Sequence, residues 1–495
     1  MTFVHSCVRL IAALCLAGCV YLPAIAGAAD VSATIGGTVY VNHGLVGVGR
    51  IPANQRDKFG DTFGSGSGLA IDLKSWAKNG DGYKGSLWLL PDRGYNAVGT
   101  VDYQARVNTI DFTLTPVAPG AAVPADKQQA EVAAKLADTL MLVDAKGAPT
   151  TGLDPVRVRA AADGLPTLPE GPNARLPLDD EAIVRLADGS MLISDEYGPN
   201  IYHFGADGKL ISATQPPQAL VPMRKGQPNF SSSNPGTGET APDPKDPETG
   251  RQNNQGLEGM SLAPDGKTLI AVLQSATRQD GGDSPATRDH TRALVFDATD
   301  VDHLKLVHEY VVPLPKFQDA KGKTAVAAQS EMFALSPTRF LMLPRDSGNG
   351  QSLKGSTSLY RKVVIVDTTG ATDIAGTDFD GLKPVAPKGQ LDASVTPAKL
   401  TEFIDINDNA ELNRFGLHNG EPNDKNDLYE KWEAMGLAPA LDAAAPDDYF
   451  LFIADDNDFI AQDGFQEGAP YKADGGGDVD TMFLVYRVTL PGFGK

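Results

Sequence analysis

Cysteine is scarce in this 495-residue chain, and its three cysteines, Cys7, Cys15 and Cys19, all lie close to the N-terminus. The rest of the chain therefore contains no disulfide, no thiolate nucleophile and no cysteine-ligated zinc. A Gly-x-Ser-x-Gly motif is also absent, which argues against a serine esterase with a nucleophile elbow. Stability must come from buried apolar surface and bound ions.

Basic residues are fewer than acidic ones: the chain has 43 Lys and Arg and 63 Asp and Glu, which gives a net charge of −20. This balance argues against nucleic acid or an anionic membrane face as the main partner. An acidic protein that binds an anion needs a cation. We therefore expect a small-molecule substrate, no nucleic-acid partner and a monomeric protein.

Long hydrophobic runs are missing too, since the apolar run at residues 10–19 is too short to span a bilayer comfortably. Arg9 precedes this run and small residues follow it, so residues 1–29 are predicted to be an export signal peptide. Two processing routes stay open. One is simple cleavage within residues 26–29, and the other is lipidation of Cys19 in the lipobox-like stretch 16–19. We expect a periplasmic, extracellular or lipid-anchored protein without a transmembrane span.

A repeated pattern of short strands organises the remaining chain. Residues 179–210 contain acids, a strand, an Asp-Gly turn, a strand that ends on Asp195 and Glu196, and a third strand before another Asp-Gly turn. Such turns supply the positive φ of tight hairpins. The pattern recurs at residues 256–274 and 330–346. It predicts an all-β fold, a β-propeller. Six blades are preferred, and five to seven fit the spacing.

Residues 30–495 are predicted to form one propeller domain with two insertions and long surface loops. The first insertion, about 116–178, contains residues 125–143, whose apolar residues have helical spacing and predict a helix packed on the ring. The second, about 216–255, is rich in Pro, Gly, Ser and charge, which favours a long loop draped over one face. A strand at residues 35–41 is expected to pair with the last blade and close the ring.

Several short motifs occur in the order found in a known family: residues 90–94, 180–183, 194–196, 254–259, 330–331 and 454–457. Together they resemble the phytase-like family, also called the esterase-like activity of phytase family, typical of secreted bacterial proteins. The resemblance spans roughly residues 68–488. It implies a β-propeller and a metal-dependent phosphoester hydrolase. Pro91, Gln274 and Pro344 depart from the usual pattern, which leaves the number of metals open.

Blade repetition predicts that matching strand ends meet at one mouth of the central channel. The charged residues at those ends are Asp92, Arg93, Glu181, Asp195, Glu196, Glu258, Glu331, Arg345, Asp455 and Asp456. Crowded carboxylates repel one another unless a cation joins them. Oxygen ligands without Cys select Ca²⁺, with Mg²⁺ as a second choice.

The expected metal ligands are the acids Asp92, Glu181, Asp195, Glu258 and Asp456. Glu196 or Glu331 is expected to orient a metal-bound water. Arg93 and Arg345 are expected to hold phosphate oxygens, because a planar guanidinium binds them in bidentate fashion. Two alternatives stay open: a calcium-dependent lactonase or phosphotriesterase-type esterase, and a non-catalytic binding propeller at the cell surface.

Overall fold

The computed structural model describes residues 30–64, 66–96, 98–348, 350–351 and 356–494. The expected signal peptide at residues 1–29, with Cys19, lies outside the described residues. Strands dominate the described part of the chain, in keeping with its many Asp-Gly turns, and its single α-helix is the short Asn409–Leu412.

Twenty of the strands form five groups of four, which we call blades. The first blade contains Gly68–Asn79, Gly82–Leu90, Arg106–Leu114 and Val132–Met141, and the second contains Asp180–Arg185, Met191–Asp195, Ile201–Phe204 and Leu210–Thr214. The third contains Leu257–Leu262, Thr268–Leu273, His290–Asp297 and Lys305–Pro313, and the fourth contains Ala328–Ser336, Arg339–Arg345, Lys362–Asp367 and Lys399–Asp405. The fifth contains Trp432–Pro439, Asp448–Asp455, Thr481–Thr489 and, from the N-terminal end, Thr38–Ile51.

The first strand of each blade is its inner strand, and the five inner strands form a ring. Each contacts the inner strand of the next blade, and the fifth, Trp432–Pro439, contacts the first, Gly68–Asn79. This is a propeller-type fold. The described strands form five such groups, the first and fifth of which are joined in one nine-stranded sheet. The preference for six blades stays a prediction.

Closure of the ring depends on pairing between the two ends of the chain. Thr38–Ile51 pairs antiparallel with the last strand, Thr481–Thr489, from Val41 opposite Thr489 to Ile51 opposite Thr481. The expected pairing of an N-terminal strand with the last blade is therefore present, although the strand begins and ends later than predicted.

The core lies between neighbouring blades. Leu192 and Leu257 pack together between the second and third blades, and Leu341 and Leu484 belong to the cluster between the fourth and fifth. Similar apolar clusters fill the other three junctions. Burying one such side chain stabilises the fold by about 1.5–3 kcal/mol, so the junctions hold the inner strands rigidly in place.

The predicted helix at residues 125–143 is wrong. Val132–Met141 is instead the fourth strand of the first blade, paired with Arg106–Leu114. Its largest apolar residues, Val132, Leu136 and Leu140, are spaced by four, which fits one face of a helix and one face of a strand equally well. The periodicity could not decide between them.

The tract at residues 216–255 lies on the surface, where buried polar side chains anchor it. Arg224 donates to the carbonyls of Asn229, Ser231, Pro244 and Lys245. Arg251, which is fully buried, donates to the carbonyl oxygens of Tyr197 and Phe230. Hydrogen bonds from these two arginines thus hold the tract in place, because its composition does not supply an apolar core.

The remaining elements are short. The minor strands are Val31–Ile35, Arg157–Arg159, Leu168–Glu170, Met223–Arg224, Gln227–Pro228, Lys316–Gln318, Thr324–Val326, Gly464–Gln466 and Ala469–Tyr471. The 3₁₀ helices are Gln218–Leu220, Arg278–Asp280, Asp378–Asp380, Pro387–Gly389 and Asn413–Phe415. Within the described ranges, no helix has the length and apolar character needed to cross a membrane.

Candidate functional site

Four inner strands each carry a glutamate near the beginning of the strand. These residues are Glu181, Glu258, Glu331 and Glu433, in the second to fifth blades. All four are buried. Because neighbouring inner strands are in contact, their carboxyl groups come together around the channel.

Three carboxylates meet closely where the second and third blades join. One oxygen from each of Glu181, Glu196 and Glu258 lies within 4.8 Å of the others. Glu196 immediately follows the strand Met191–Asp195, and neither of its carboxylate oxygens has a hydrogen-bond partner. The closest cationic atom recorded near it is Nη1 of Arg93, 3.9 Å from Oε2. Because the same nitrogen pairs more closely with Asp179, this single distant arginine does not balance the three carboxylates of the cluster.

The electrostatics of this cluster follow from burial and repulsion. Burial, with repulsion from Glu258 and Glu196, raises the pKa of Glu181 well above its usual value. Burial and repulsion from Glu196 likewise raise the pKa of Glu258. A carboxyl group whose pKa is raised by burial and repulsion is either protonated or paired with a cation.

A second cluster joins the first through Glu181. One oxygen from each of Asp92, Asp179 and Glu181 lies within 4.8 Å of the others. Arg93 donates to Asp179 and to Asn254, and its guanidinium carbon lies 5.6 Å from the centre of the Tyr197 ring. Asp179 is thereby partly neutralised by a protein cation.

A third cluster, of Asp92, Asp456 and Asp458, surrounds Lys431. Nζ of Lys431 lies 2.5 Å from Asp456 Oδ2, 3.0 Å from Asp458 Oδ1 and 3.4 Å from Asp92 Oδ2. It also lies 3.4 Å from Glu433 Oε2. Burial opposes ionisation of Asp92, but Lys431 and Arg93 outweigh that effect and lower its pKa. This cluster already contains its own cation.

Two of the predicted acids instead accept backbone hydrogen bonds. Asp195 accepts from the N–H groups of Asp179 at 3.0 Å and Gly198 at 2.6 Å, and burial raises its pKa to about 7. Asp455 accepts from the N–H of Met482 at 2.6 Å. Neither belongs to a carboxylate cluster among the described residues. Both fix the loops that carry their neighbours Glu196 and Asp456.

Glu331 and Arg345 lie apart from the three clusters. Glu331 accepts a hydrogen bond from the N–H of Met332 at 2.7 Å and lines an apolar cavity of about 240 Å³ between the inner strands. Arg345 donates to Glu433 and, at 2.9 Å, to Ser330 Oγ. Arg93 and Arg345 therefore both bind protein carboxylates.

A polar cleft of about 410 Å³ opens beside this centre. Its lining includes Asn254, the partner of Arg93, and Arg345, the partner of Glu433. Arg288, Gln274 and Ser330 also line it. Its volume fits a small organic ligand.

The sequence did not lead us to predict Asp179, Lys431 and Glu433 as residues of the site. Glu433 had a usable signal, because an apolar residue, Met435, stands two positions after it, as Met260 does after Glu258. Lys431 had none, since nothing in the sequence indicates that a lysine will approach two aspartates that follow the next strand of its own blade and a third, Asp92, from the first blade.

The family model for phytase-like proteins, described as esterase-like activity of phytase, matches residues 62–459. The chain belongs to the phytase-like family. The match covers the inner strands of all five blades and every acid of the three clusters, and it leaves out the two closing strands, Thr38–Ile51 and Thr481–Thr489.

A relative of this phytase-like chain is found in Arthroderma benhamiae (strain ATCC MYA-4681 / CBS 112371). It is 40% identical over 459 residues, which cover 87% of this chain and 89% of the relative, and it is described as an uncharacterized secreted protein.

Two solved structures show a distant likeness. One is a candidate 6-phosphogluconolactonase from Bacteroides fragilis NCTC 9343, with TM-score 0.25 and 11% identity, covering 84% of this chain and 86% of the other. The other is a Trichoderma reesei protein of carbohydrate-active enzymes family AA12, with TM-score 0.23 and 9% identity, covering 87% and 97%. Neither is close enough to inform the function of the phytase-like site.

Chemically, the phytase-like site combines a carboxylate cluster whose charge is weakly compensated, two arginines held by acids and an adjoining polar cleft. Buried carboxylates without hydrogen-bond donors are suited to a hard divalent cation. Such a cation would allow an acidic protein to bind an anionic substrate.

Proposed function

We propose that this protein is an exported phosphoester hydrolase that depends on a divalent cation, with Ca²⁺ preferred over Mg²⁺. The observation that carries the proposal is Glu196, whose two buried oxygens lack hydrogen-bond partners and whose carboxylate lies against Glu181 and Glu258. A buried charge left in this state is costly unless a cation joins it.

The residues fit such an ion. Glu181, Glu196 and Glu258 would hold it, and Asp92 lies in the neighbouring cluster that shares Glu181. The set contains only oxygen donors, which are the ligands of calcium and magnesium. When bound, the ion would neutralise the carboxylates and act as a Lewis acid toward an ester oxygen.

Two cationic side chains of the protein pair with acids around this centre. Lys431 pairs with Asp456, and Arg93 pairs most closely with Asp179, so the glutamate cluster has the weakest charge compensation of the three. Of the predicted ligands, Asp456 is therefore assigned to charge balance and Asp195 to loop positioning. Glu331 is in none of the three clusters and accepts a hydrogen bond from the N–H of Met332, so it is assigned to backbone support.

Export is part of the proposal. Residues 1–29 have the composition of a signal peptide, and the Arthroderma benhamiae relative is described as secreted. Mass spectrometry of the mature N-terminus would separate cleavage within residues 26–29 from lipidation of Cys19.

The decisive experiment uses mature protein stripped of metal, assayed on phosphoesters and lactones with Ca²⁺, Mg²⁺ or Zn²⁺ added back. We expect Ca²⁺ to restore phosphoester hydrolysis in the wild type and in the surface control Glu239→Gln, but not in Glu196→Gln. Hydrolysis of lactones alone would select the lactonase alternative. Thermal stabilisation by Ca²⁺ without turnover of any ester would favour a binding propeller.

A further inference from the structure

Arg288 is an unpaired guanidinium in the wall of the 410 Å³ cleft. It precedes the strand His290–Asp297, and its Nε is buried without a hydrogen-bond partner. Among the described residues it forms no recorded hydrogen bond and no ion pair within 4.0 Å. The side chain as a whole is half-buried, so a guanidinium with an enclosed, unpartnered Nε in a cleft wall is available to a ligand.

The acids near Arg288 are already engaged. Asp289, its neighbour in sequence, lies 2.6 Å from Nζ of Lys316. Asp319 accepts from the N–H groups of Lys321 and Lys323, both at 2.8 Å. Asp346 accepts from Ser358 Oγ at 2.7 Å and from the N–H of Leu359 at 2.6 Å. None of these three carboxylates therefore pairs with the guanidinium of Arg288.

The other lining residues suit a polar, anionic ligand. Gln274 Oε1 is buried without a partner and can accept from a ligand hydroxyl. Arg345, the second arginine of the wall, is already held by Glu433. Asn254 links the cleft to Arg93 and hence to the acid clusters. A ligand in the cleft would thus extend from Arg288 toward the proposed ion site.

We propose that the cleft is a substrate subsite in which Arg288 binds an oxyanion, a carboxylate or phosphate, other than the group that is hydrolysed. This inference rests on the proposed function and deepens it, because it defines the substrate class as esters that carry a second negative group. A guanidinium binds either oxyanion through two parallel N–H donors.

The test compares phenyl phosphate, 4-carboxyphenyl phosphate and 4-phosphonophenyl phosphate in the presence of Ca²⁺. We expect the wild type to have a KM about tenfold lower for the two esters with a second anion, which is typical of one charge-assisted hydrogen-bonded pair. Arg288→Ala should abolish this KM preference, and Arg288→Lys should restore part of it. Comparison of the carboxylate and phosphonate esters shows which oxyanion is preferred.

The matched control is Arg157→Ala, which removes a half-exposed arginine paired with Glu170 far from the cleft lining. It should keep the wild-type preference. Suppose that Arg288→Ala still hydrolyses the esters and still has a lower KM for the two esters with a second anion. The subsite would then be disproved, and the proposed function would stand.

A binding measurement separates the two proposals. Calorimetry compares phenylphosphonate with 4-carboxyphenylphosphonate, neither of which needs to be hydrolysed. If the wild type hydrolyses no ester but binds the carboxylated compound about tenfold more tightly, and Arg288→Ala loses that difference, the subsite holds and the hydrolase proposal fails. Equal binding of the two compounds by the wild type would overturn the subsite.

Discussion

Nζ of Lys431 lies 2.5 Å from Oδ2 of Asp456, which is fully buried, while the lysine side chain is 18% exposed. The same ammonium group approaches Asp458 and Glu433. One lysine thus balances a group of acids that would otherwise require a bound cation. Among the described residues, the neighbouring glutamate cluster has only Arg93, 3.9 Å from Glu196, and this contrast is the reason for proposing the ion at Glu181, Glu196 and Glu258.

We predict that Lys431→Met destabilises the metal-free protein. Removing one partner of a buried ion pair costs about 3–5 kcal/mol, because the remaining charges stay buried. The melting temperature in EDTA should fall, and added Ca²⁺ should recover more of it than in the wild type. Lys362→Met, which removes a lysine whose partner Glu402 is 54% exposed, should have a much smaller effect because that carboxylate stays solvated. Equal melting temperatures for the two variants would argue against a charge-balancing Lys431.

Glu196→Gln should have opposite effects with and without metal. In EDTA the variant should be at least as stable as the wild type, because the change relieves repulsion from Glu181 and Glu258. Its affinity for Ca²⁺ should fall about tenfold or more, since a charged ligand is lost. Thermal unfolding at increasing Ca²⁺ measures both effects, with Glu239→Gln as the surface control. A lower stability in EDTA together with unchanged Ca²⁺ affinity would contradict the assignment.

Arg93→Ala should weaken both folding and activity. The guanidinium joins Asp179 to Asn254, so its removal leaves a buried carboxylate unpaired at a cost of about 3–5 kcal/mol. Arg93→Lys keeps the charge but cannot donate to both partners with the same planar geometry, and should be intermediate. Chemical unfolding and Ca²⁺-dependent phosphoester hydrolysis measure the two effects. Full activity in Arg93→Ala would exclude the site at the channel mouth.

The repeated sequence pattern was sufficient to predict an all-β propeller and the convergence of Glu181 with Glu258, because equivalent positions in successive blades lie close together. It could not predict that the strand Val132–Met141 completes the first blade, since its apolar spacing fits a helix as well. Nor could it show which acids bind other protein groups. Asp195 and Glu196 are adjacent in sequence, yet only Asp195 accepts backbone hydrogen bonds.

The buried group around Arg292 gives a pH prediction outside the site. Arg292 donates to Asp280 at 2.8 Å and to Glu309 at 2.6 Å, so two carboxylates share one guanidinium. Burial raises the pKa of Glu309 from 4.5 to about 8 despite the attraction of Arg292, and Asp380 adds to the rise. Between these two values the folded protein keeps a proton that the unfolded chain releases, so stability falls as pH rises.

Glu309→Gln removes that titration, and its melting temperature should therefore decrease less than that of the wild type between pH 5 and pH 8, roughly the range in which Glu309 titrates. Scanning calorimetry at the two pH values makes the comparison. Glu239→Gln, on the surface, should keep the wild-type slope. A Glu309→Gln variant with the same slope would show that Glu309 is already ionised at the lower pH.

Gly256 allows the geometry of the glutamate cluster to be tested without changing its charge. A methyl group on Gly256 would overlap the backbone of Glu196, whereas at Gly381 the nearest atom would lie 3.4 Å away. Overpacking of this kind costs about 1–3 kcal/mol and displaces the neighbouring chain. Gly256→Ala should therefore move Glu196 relative to Glu258 and lower the affinity for Ca²⁺, while Gly381→Ala should not. Wild-type Ca²⁺ affinity of Gly256→Ala in calorimetry would contradict this prediction. It would show that the close contact at Gly256 does not determine the position of Glu196 in the cluster.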